Sequence, residues 1–311
     1  MKSIKFGATM YAPATRPDLI ALGNSLKYPN LRTVVFCTED SVSLNDLPKA
    51  IKNLQLTFPR LVKAPIQRFV RPKNLEVLKT LLTLPGVENV NGFVLPKADL
   101  DTLPSYFKLL ARHEAFELMP TLETKAVFDL VSMRRLRDYL AKSPLASRIA
   151  VLRIGSLDLM SVLSLRRDIN RVIYDTPIGH AIDQLITIFK TAGFSLSAPG
   201  FEGLDQAQIL MDELSLDVSR GLFAKTCVHP DQVDIIHDAY KVTPEELEMA
   251  EAILSPERPA VFRMAERMCE KAVHANWAAV TMERARLFGA WPKSALPFFQ
   301  TSDEIARKTL S

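Results

Sequence analysis

Short apolar, β-branched runs alternate with longer amphipathic stretches over the first 240 residues or so. The runs at 4–12, 31–38, 66–71, 92–96, 116–122, 149–154, 194–198 and 222–228 predict strands. The intervals at about 16–27, 43–58, 73–84, 99–113, 124–142, 178–192, 203–217 and 230–240 predict helices. Leu75, Leu78, Leu81 and Leu82, for example, recur at the three-to-four spacing of a helix face. Eight strand–helix alternations without a hairpin signal predict a parallel sheet. Eight such units in this length match a TIM (β/α)8 barrel, with a doubly wound open sheet as the competing arrangement. Beyond Tyr240 the pattern turns wholly helical. Thr243-Pro-Glu-Glu reads as a capped helix start, and 259–287 reads as one long apolar-periodic helix. The expected organisation is a barrel over 1–242 and a C-terminal helical extension over 243–311.

Composition narrows the class. Of 311 residues, 48% are hydrophobic and 24% charged, proportions that exclude a disordered, collagen-like or membrane chain. A net charge of +4 on this length gives no reason to expect nucleic acid as a partner. No apolar run approaches the roughly 20 residues that span a bilayer. The opening MKSIKFGATMYAPATRP has too short an apolar region for a signal peptide and reads as a strand. Cys37, Cys227 and Cys269 cannot build a disulfide framework and fit a reducing compartment, so the cytoplasm is expected. Cys227 and His229 lack the second pair that a zinc site needs. No dinucleotide fingerprint, P-loop, nucleophile elbow or HExxH is present.

Candidate chemistry collects at the C-terminal ends of the strands, where a barrel builds its active site. The second strand runs into Glu39-Asp40, the third ends in Arg71, the fourth runs into Lys97, the fifth into Glu123 and the sixth into Asp158. The eighth carries Lys225 and leads to His229. Two carboxylates from neighbouring strands, Glu123 and Asp158, suit Mg²⁺, which takes one or two carboxylates and completes its shell with water and substrate oxygens. Arg71 can clamp a carboxylate or a developing enolate with its fork. Metal beside arginine serves chemistry alpha to a carbonyl, carbon–carbon cleavage included. His229, before Pro230, fits loop ordering as well as catalysis. Arg134, Arg135 and Arg137 fit a solvated helix face.

These residues resemble the citrate lyase beta-subunit-like branch of the HpcH/HpaI aldolase family over roughly 6–255. The family's P-G-x-R-P turn is echoed by Tyr11-Ala-Pro-Ala-Thr-Arg-Pro17, and its D-L-E-D-A-V by Cys37-Thr-Glu-Asp-Ser-Val42. V-R-x-N is similar to Val70-Arg-Pro-Lys-Asn74, with one inserted residue. L-P-K-V-E becomes Leu95-Pro-Lys-Ala-Asp99, and I-E-T becomes Leu122-Glu-Thr124. G-A-E-D-L becomes Gly155-Ser-Leu-Asp-Leu159, and G-K-x-x-I-H-P-x-Q becomes Ala224-Lys-Thr-Cys-Val-His-Pro-Asp-Gln232.

The resemblance implies a Mg²⁺-dependent TIM-barrel lyase, usually a homotrimer, with metal at Glu123 and Asp158. It places Arg71 on an oxo-acid substrate and makes Arg71, Glu39, Asp40 and Lys97 the candidate catalytic residues. Arg16, Lys225 and His229 then fall on the cofactor side. The implied reaction cleaves a 3-hydroxyacyl-CoA, such as citryl-, malyl- or citramalyl-CoA, to a 2-oxo acid and acetyl-CoA. Departures are Leu157 for the acidic residue before the metal Asp, and Ala224 and Ala14 for two glycines. In many relatives a neighbouring subunit lends a tail Asp; here Glu270 and His274 stand in that region. An aldolase acting on a 2-oxo acid without CoA, or a non-catalytic barrel subunit, are the alternatives. The apolar series from Val261 to Phe288 suggests that the tail mediates assembly.

Overall fold

The computed structural model describes residues 3–293. Eight strands form one parallel sheet: β1 (Gly7–Pro13), β2 (Thr33–Cys37), β3 (Gln67–Arg71), β4 (Gly92–Leu95), β5 (Glu117–Leu122), β6 (Leu152–Ile154), β7 (Leu196–Ser197) and β8 (Ala224–Cys227). Each strand pairs with the next in sequence, and β8 returns to β1. A parallel bridge from Ala198 to Lys225 joins the last two strands, with Ala198 N–H donating to Ala224 O at 2.7 Å. The sheet is a (β/α)8 barrel, and the open-sheet alternative is set aside.

The helices of the barrel are α1 (Leu19–Gly23), α2 (Leu47–Thr57), α3 (Leu75–Leu82), α4 (Leu103–Leu110), α5 (Leu130–Lys142), α6 (Ser156–Val162), α7 (Pro177–Lys190) and α8 (Ala207–Ser219). Local chemistry sets their starts. Asn74 accepts from Val77 N–H, and Asp129 accepts from Val131 and Ser132 N–H, supplying orphan donors of the first turn with an acceptor. Two details differ from the sequence expectation. Residues 4–6 form a 3₁₀ turn and the first strand starts at Gly7, whose φ of +51° suits a residue without Cβ. The short α6 was not expected; it starts directly after β6 and carries Asp158 in its first turn.

Compact units divide inside α9 (Gln232–Ala239): one runs up to Val233, the other from Asp234. The second unit holds α10 (Pro244–Leu254), a hairpin of β9 (Val261–Met264) and β10 (Arg267–Glu270), and α11 (Lys271–Phe288). The capping box is present as read: Glu246 N–H donates to Thr243 Oγ1 at 3.1 Å, and Thr243 N–H donates to Glu246 Oε2 at 3.0 Å. The long helix over 259–287 is corrected to hairpin plus helix. Phe262 and Met264 share one strand face, and Cys269 stands opposite Phe262. All three pack with Ala250, Ile253 and Ala278, a period of two that helical spacing cannot provide. The part of the expected extension beyond 293 lies outside the described residues.

Candidate active site

Strand alternation builds the site. Phe6, Val35, Phe69, Met119, Val151 and Ala224 fill the lower interior of the barrel as one buried cluster. Two residues further along five of those strands, the same inward face presents Cys37, Arg71, Thr121, Arg153 and Thr226. These five, with Tyr11, line a cavity of about 320 Å³ that opens at the strand ends, where Asp40, Glu123 and Asp158 join the wall.

Arg71 organises the rim. Its Nη2 lies 2.7 Å from Glu39 Oε2, 3.0 Å from Glu123 Oε1 and 3.4 Å from Asp40 Oδ2. Glu123 Oε1 also accepts the Lys97 backbone N–H at 2.7 Å. Lys97 stands at φ +50°, a left-handed conformation uncommon outside glycine, which turns its backbone toward Glu123. Its ammonium reaches Asp158 at 2.7 Å and Glu39 at 3.6 Å. All six rim residues singled out from sequence as catalytic or metal-binding are therefore brought together.

Charge in this cluster is unbalanced. Glu39, Asp40, Glu123 and Asp158 face Arg71 and Lys97, with Arg153 in the same cavity wall, four acids against three bases and a formal excess of one negative charge. Burial pushes the Glu123 carboxyl up to about 7, against the opposing pull of Arg71. Burial likewise raises Glu39. Asp40 is held down in spite of its own burial, by its hydrogen bond with Glu39 and by Arg71.

Glu123 Oε2 is buried and has no hydrogen-bond partner among the described residues. Gly155 makes room for it: a Cβ there would lie 2.3 Å from that oxygen. A carboxylate held by one oxygen, with the other unpartnered, beside Asp158 in a net acidic cavity, fits a hard dication. No group of three or more His, Cys, Asp or Glu side chains that could hold a metal ion occurs among the described residues.

Three expected cofactor residues lie elsewhere. Lys225 is corrected most clearly. Ala224 and Thr226 face the barrel interior, so alternation turns Lys225 outward against α8. There its fully buried ammonium pairs with Asp217 at 2.8 Å and Glu213 at 2.9 Å. Burial opposes that charge, and the two carboxylates raise its pKa regardless. Arg16 is engaged by Asp18 at 2.6 Å, and holds that carboxyl far below its usual range. His229 is half-exposed, with Nδ1 3.4 Å from Asp231. Neither contributes to the cavity wall.

Sequence reasoning missed Arg153, Tyr11 and the supporting Gly155. The signal for Arg153 was available: a guanidinium inside the apolar run Val151-Leu-Arg-Ile154 is a buried charge that needs a reason.

A family model described as a C–C bond lyase of the TIM-barrel fold matches residues 1–290. The crystal structure of protein CitE from Mycobacterium tuberculosis, in complex with magnesium, acetoacetate and coenzyme A, is similar at a TM-score of 0.70 and 19% identity. That alignment covers 92% of this chain and 100% of that one. RipC from Yersinia pestis gives 0.60 at 18% identity, over 78% of this chain and 99% of that one. The citrate lyase beta subunit from M. tuberculosis complexed with oxaloacetate and magnesium gives 0.56 at 18%, over 77% and 99%. No curated protein sequence matches. At these identities the solved structures speak for the fold, whereas the family match spans nearly the whole chain. The chain belongs to the C–C bond lyase family of the TIM-barrel fold and is a carbon–carbon lyase.

Proposed function

We propose that this lyase is Mg²⁺-dependent and cleaves, or forms, a 3-hydroxyacyl-CoA of the citryl-, malyl- or citramalyl-CoA type, giving a 2-oxo acid and acetyl-CoA. The observation that carries the reading is Glu123. It is buried, fixed through Oε1 by Arg71 and Lys97 N–H, and its Oε2 is unpartnered in the cavity that Asp158 shares. Glu123 and Asp158 would hold the ion, which when bound supplies a Lewis acid for the carboxylate and carbonyl oxygens of the oxo acid. The similar CitE structure holds magnesium with acetoacetate and coenzyme A, and the citrate lyase beta subunit structure holds magnesium with oxaloacetate, which supports this chemistry.

In the cleavage direction the 3-hydroxyl gives its proton to a rim carboxylate and the bond between C2 and C3 of the acyl chain breaks. C3 becomes the 2-oxo carbonyl carbon of the oxo acid, a ketone from citryl- or citramalyl-CoA and an aldehyde from malyl-CoA. The electron pair passes to the acyl thioester as an enolate, which takes a proton to become acetyl-CoA. Arg71 and Lys97 keep the rim carboxylates in place for this and hold positive charge beside the forming carbonyl. Glu39 and Asp40 act by positioning Arg71.

A second reading, an aldolase acting on a 2-oxo acid without CoA, is favoured by one observation: Lys225, expected on the cofactor side, is consumed by Asp217 and Glu213. Proton exchange separates the two. In D₂O with Mg²⁺, the thioester lyase exchanges the methyl protons of acetyl-CoA, and the aldolase those of pyruvate. Exchange of neither, with or without the partner substrate present, would refute both.

Self-association as a trimer belongs to the same proposal. Val261, Met268, Val273 and Trp277 are exposed on the second unit, an apolar set suited to a neighbouring copy. No helix among the described residues is long and apolar enough to cross a membrane. Three free, buried cysteines fit the cytoplasm.

A further inference from the structure

Arg71 and Arg153 both project into the cavity, yet their surroundings are opposite. Three carboxylates engage Arg71, whereas no carboxylate among the described residues lies within ion-pair distance of Arg153. The Arg153 side chain is 1% exposed. Its Nη2 donates to Thr226 Oγ1 at 2.5 Å, and its guanidinium carbon lies 5.4 Å from the Tyr11 ring centroid. Its Nη1 has no partner.

Its neighbours in the barrel are polar as well. Register places Thr121 and Ser197 on either side of Arg153 across β5, β6 and β7, and Thr226 beside Thr9 across β8 and β1. The hydroxyls of Thr9, Thr121 and Ser197 are buried without partners. A layer of hydroxyls around an uncompensated guanidinium is costly in an empty protein, because buried charges and donors need satisfaction. An anion at Nη1 would remove that cost.

We propose that Arg153 is a specificity-determining residue that receives the distal carboxylate of an oxo-diacid. This rests on the reading above, in which Glu123 and Asp158 handle the 2-oxo-acid head. Thr121 is in register with Arg153, and Glu123 stands two residues beyond Thr121, so the two layers lie about 6.6 Å apart along the strands at roughly 3.3 Å per residue. An extended diacid of four or five carbons matches that span. Thr226 holds the guanidinium from one side, and the Tyr11 ring neighbours both cations, its centroid 5.4 Å from the Arg153 and 6.0 Å from the Arg71 guanidinium carbon.

Calorimetry on the full chain with saturating Mg²⁺ tests this. The probes are 2-oxoglutarate and 5-methyl-2-oxohexanoate, whose terminal isopropyl group replaces the carboxylate at similar size. The expected result is a preference of about 10- to 100-fold for the diacid, the scale of a charge-assisted hydrogen bond. Arg153→Met should abolish that preference without lowering Tm, because it removes an uncompensated buried charge. Arg153→Lys, which keeps the charge, should retain part of it. Equal affinity of the wild-type chain for both acids, binding of neither, or a preference that survives in Arg153→Met would overturn the assignment. Failure of the lyase reading looks different: an Arg153-dependent preference in a chain that cleaves no thioester keeps this inference and loses that one.

Discussion

Gly155→Ala isolates the geometry of the proposed metal carboxylate. At φ −96° the backbone accepts alanine without strain, so the added methyl acts only through space. It would stand 2.3 Å from Glu123 Oε2 and 2.7 Å from Glu123 Cβ. The oxygen could swing aside; the Cβ, fixed to the backbone directly after β5, cannot. Restoring ordinary contact of 3.4 Å at the oxygen demands a displacement of about 1.1 Å (3.4 − 2.3). That strains the bonds Oε1 makes with Arg71 at 3.0 Å and with Lys97 N–H at 2.7 Å. Weakening two hydrogen bonds to a buried charge, each worth roughly 1.5–3 kcal/mol, gives an expected loss of about 2–4 kcal/mol after partial relaxation. Tm should fall by roughly 5–15 °C at about 2–4 °C per kcal/mol. Metal ligands tolerate only about 0.2 Å, so Mg²⁺ affinity should fall at least about tenfold. Calorimetry and thermal melts read both effects. Gly200→Ala is the control: its methyl would meet Thr226 and Val228 at 3.4–3.5 Å and should leave both readouts near wild type. Wild-type Mg²⁺ affinity and Tm in Gly155→Ala would show that Glu123 does not present its carboxylate to this wall.

Other outcomes follow from the same contacts. Lys225→Met takes the ammonium from Asp217, which keeps only the Tyr174 hydroxyl, and leaves Glu213 to Arg167 and Ile173 N–H; it should cost about 3–5 kcal/mol, seen as a lowered urea midpoint; an unchanged midpoint would contradict the network. Arg71→Lys replaces a fork that holds three carboxylates with a point charge, and turnover should fall by roughly 10²-fold, the scale of one lost preorganised donor. Full activity in that variant would remove Arg71 from the site. Light scattering should find the wild-type chain oligomeric and Val273→Glu/Trp277→Glu shifted toward monomer, since both side chains are exposed on one helix, four apart. Substitution is preferable to truncation near Ser255, because Cys269 and Ala278 cover Ala250 and Ile253 of α10. A monomeric wild-type chain would defeat the proposal.

Sequence was informative where a single periodicity governed. The eight strand runs are buried on both faces and the helices between them on one, so their order, and with it the barrel, could be read directly. The rim was legible because charged residues directly after apolar strands have one place to go. Lys225 was misplaced because a motif match ignores strand parity: one position separates the cavity from the helix layer, and Thr226 occupies the inward position. Arg153 went unread for the converse reason, since it lies inside a strand rather than at its end. The tail misled because Val261, Met264 and Met268 satisfy helical spacing, while burial of Phe262, Met264 and Cys269 on one hairpin face depends on partners in α10 and α11.

The most direct test of metal-dependent carbon–carbon cleavage at Glu123 is release of a 2-oxo acid. It would be followed by coupled reduction on a panel of citryl-, malyl- and citramalyl-CoA, with Mg²⁺ and then with excess EDTA, for the wild-type chain and for Glu123→Gln. Release should require Mg²⁺, stop with EDTA and return on adding the ion back, and Glu123→Gln should lose both turnover and Mg²⁺ affinity, because a neutral amide is a poor ligand for a hard dication. Release that persists in EDTA, or a Glu123→Gln variant as active as wild type, would contradict the assignment.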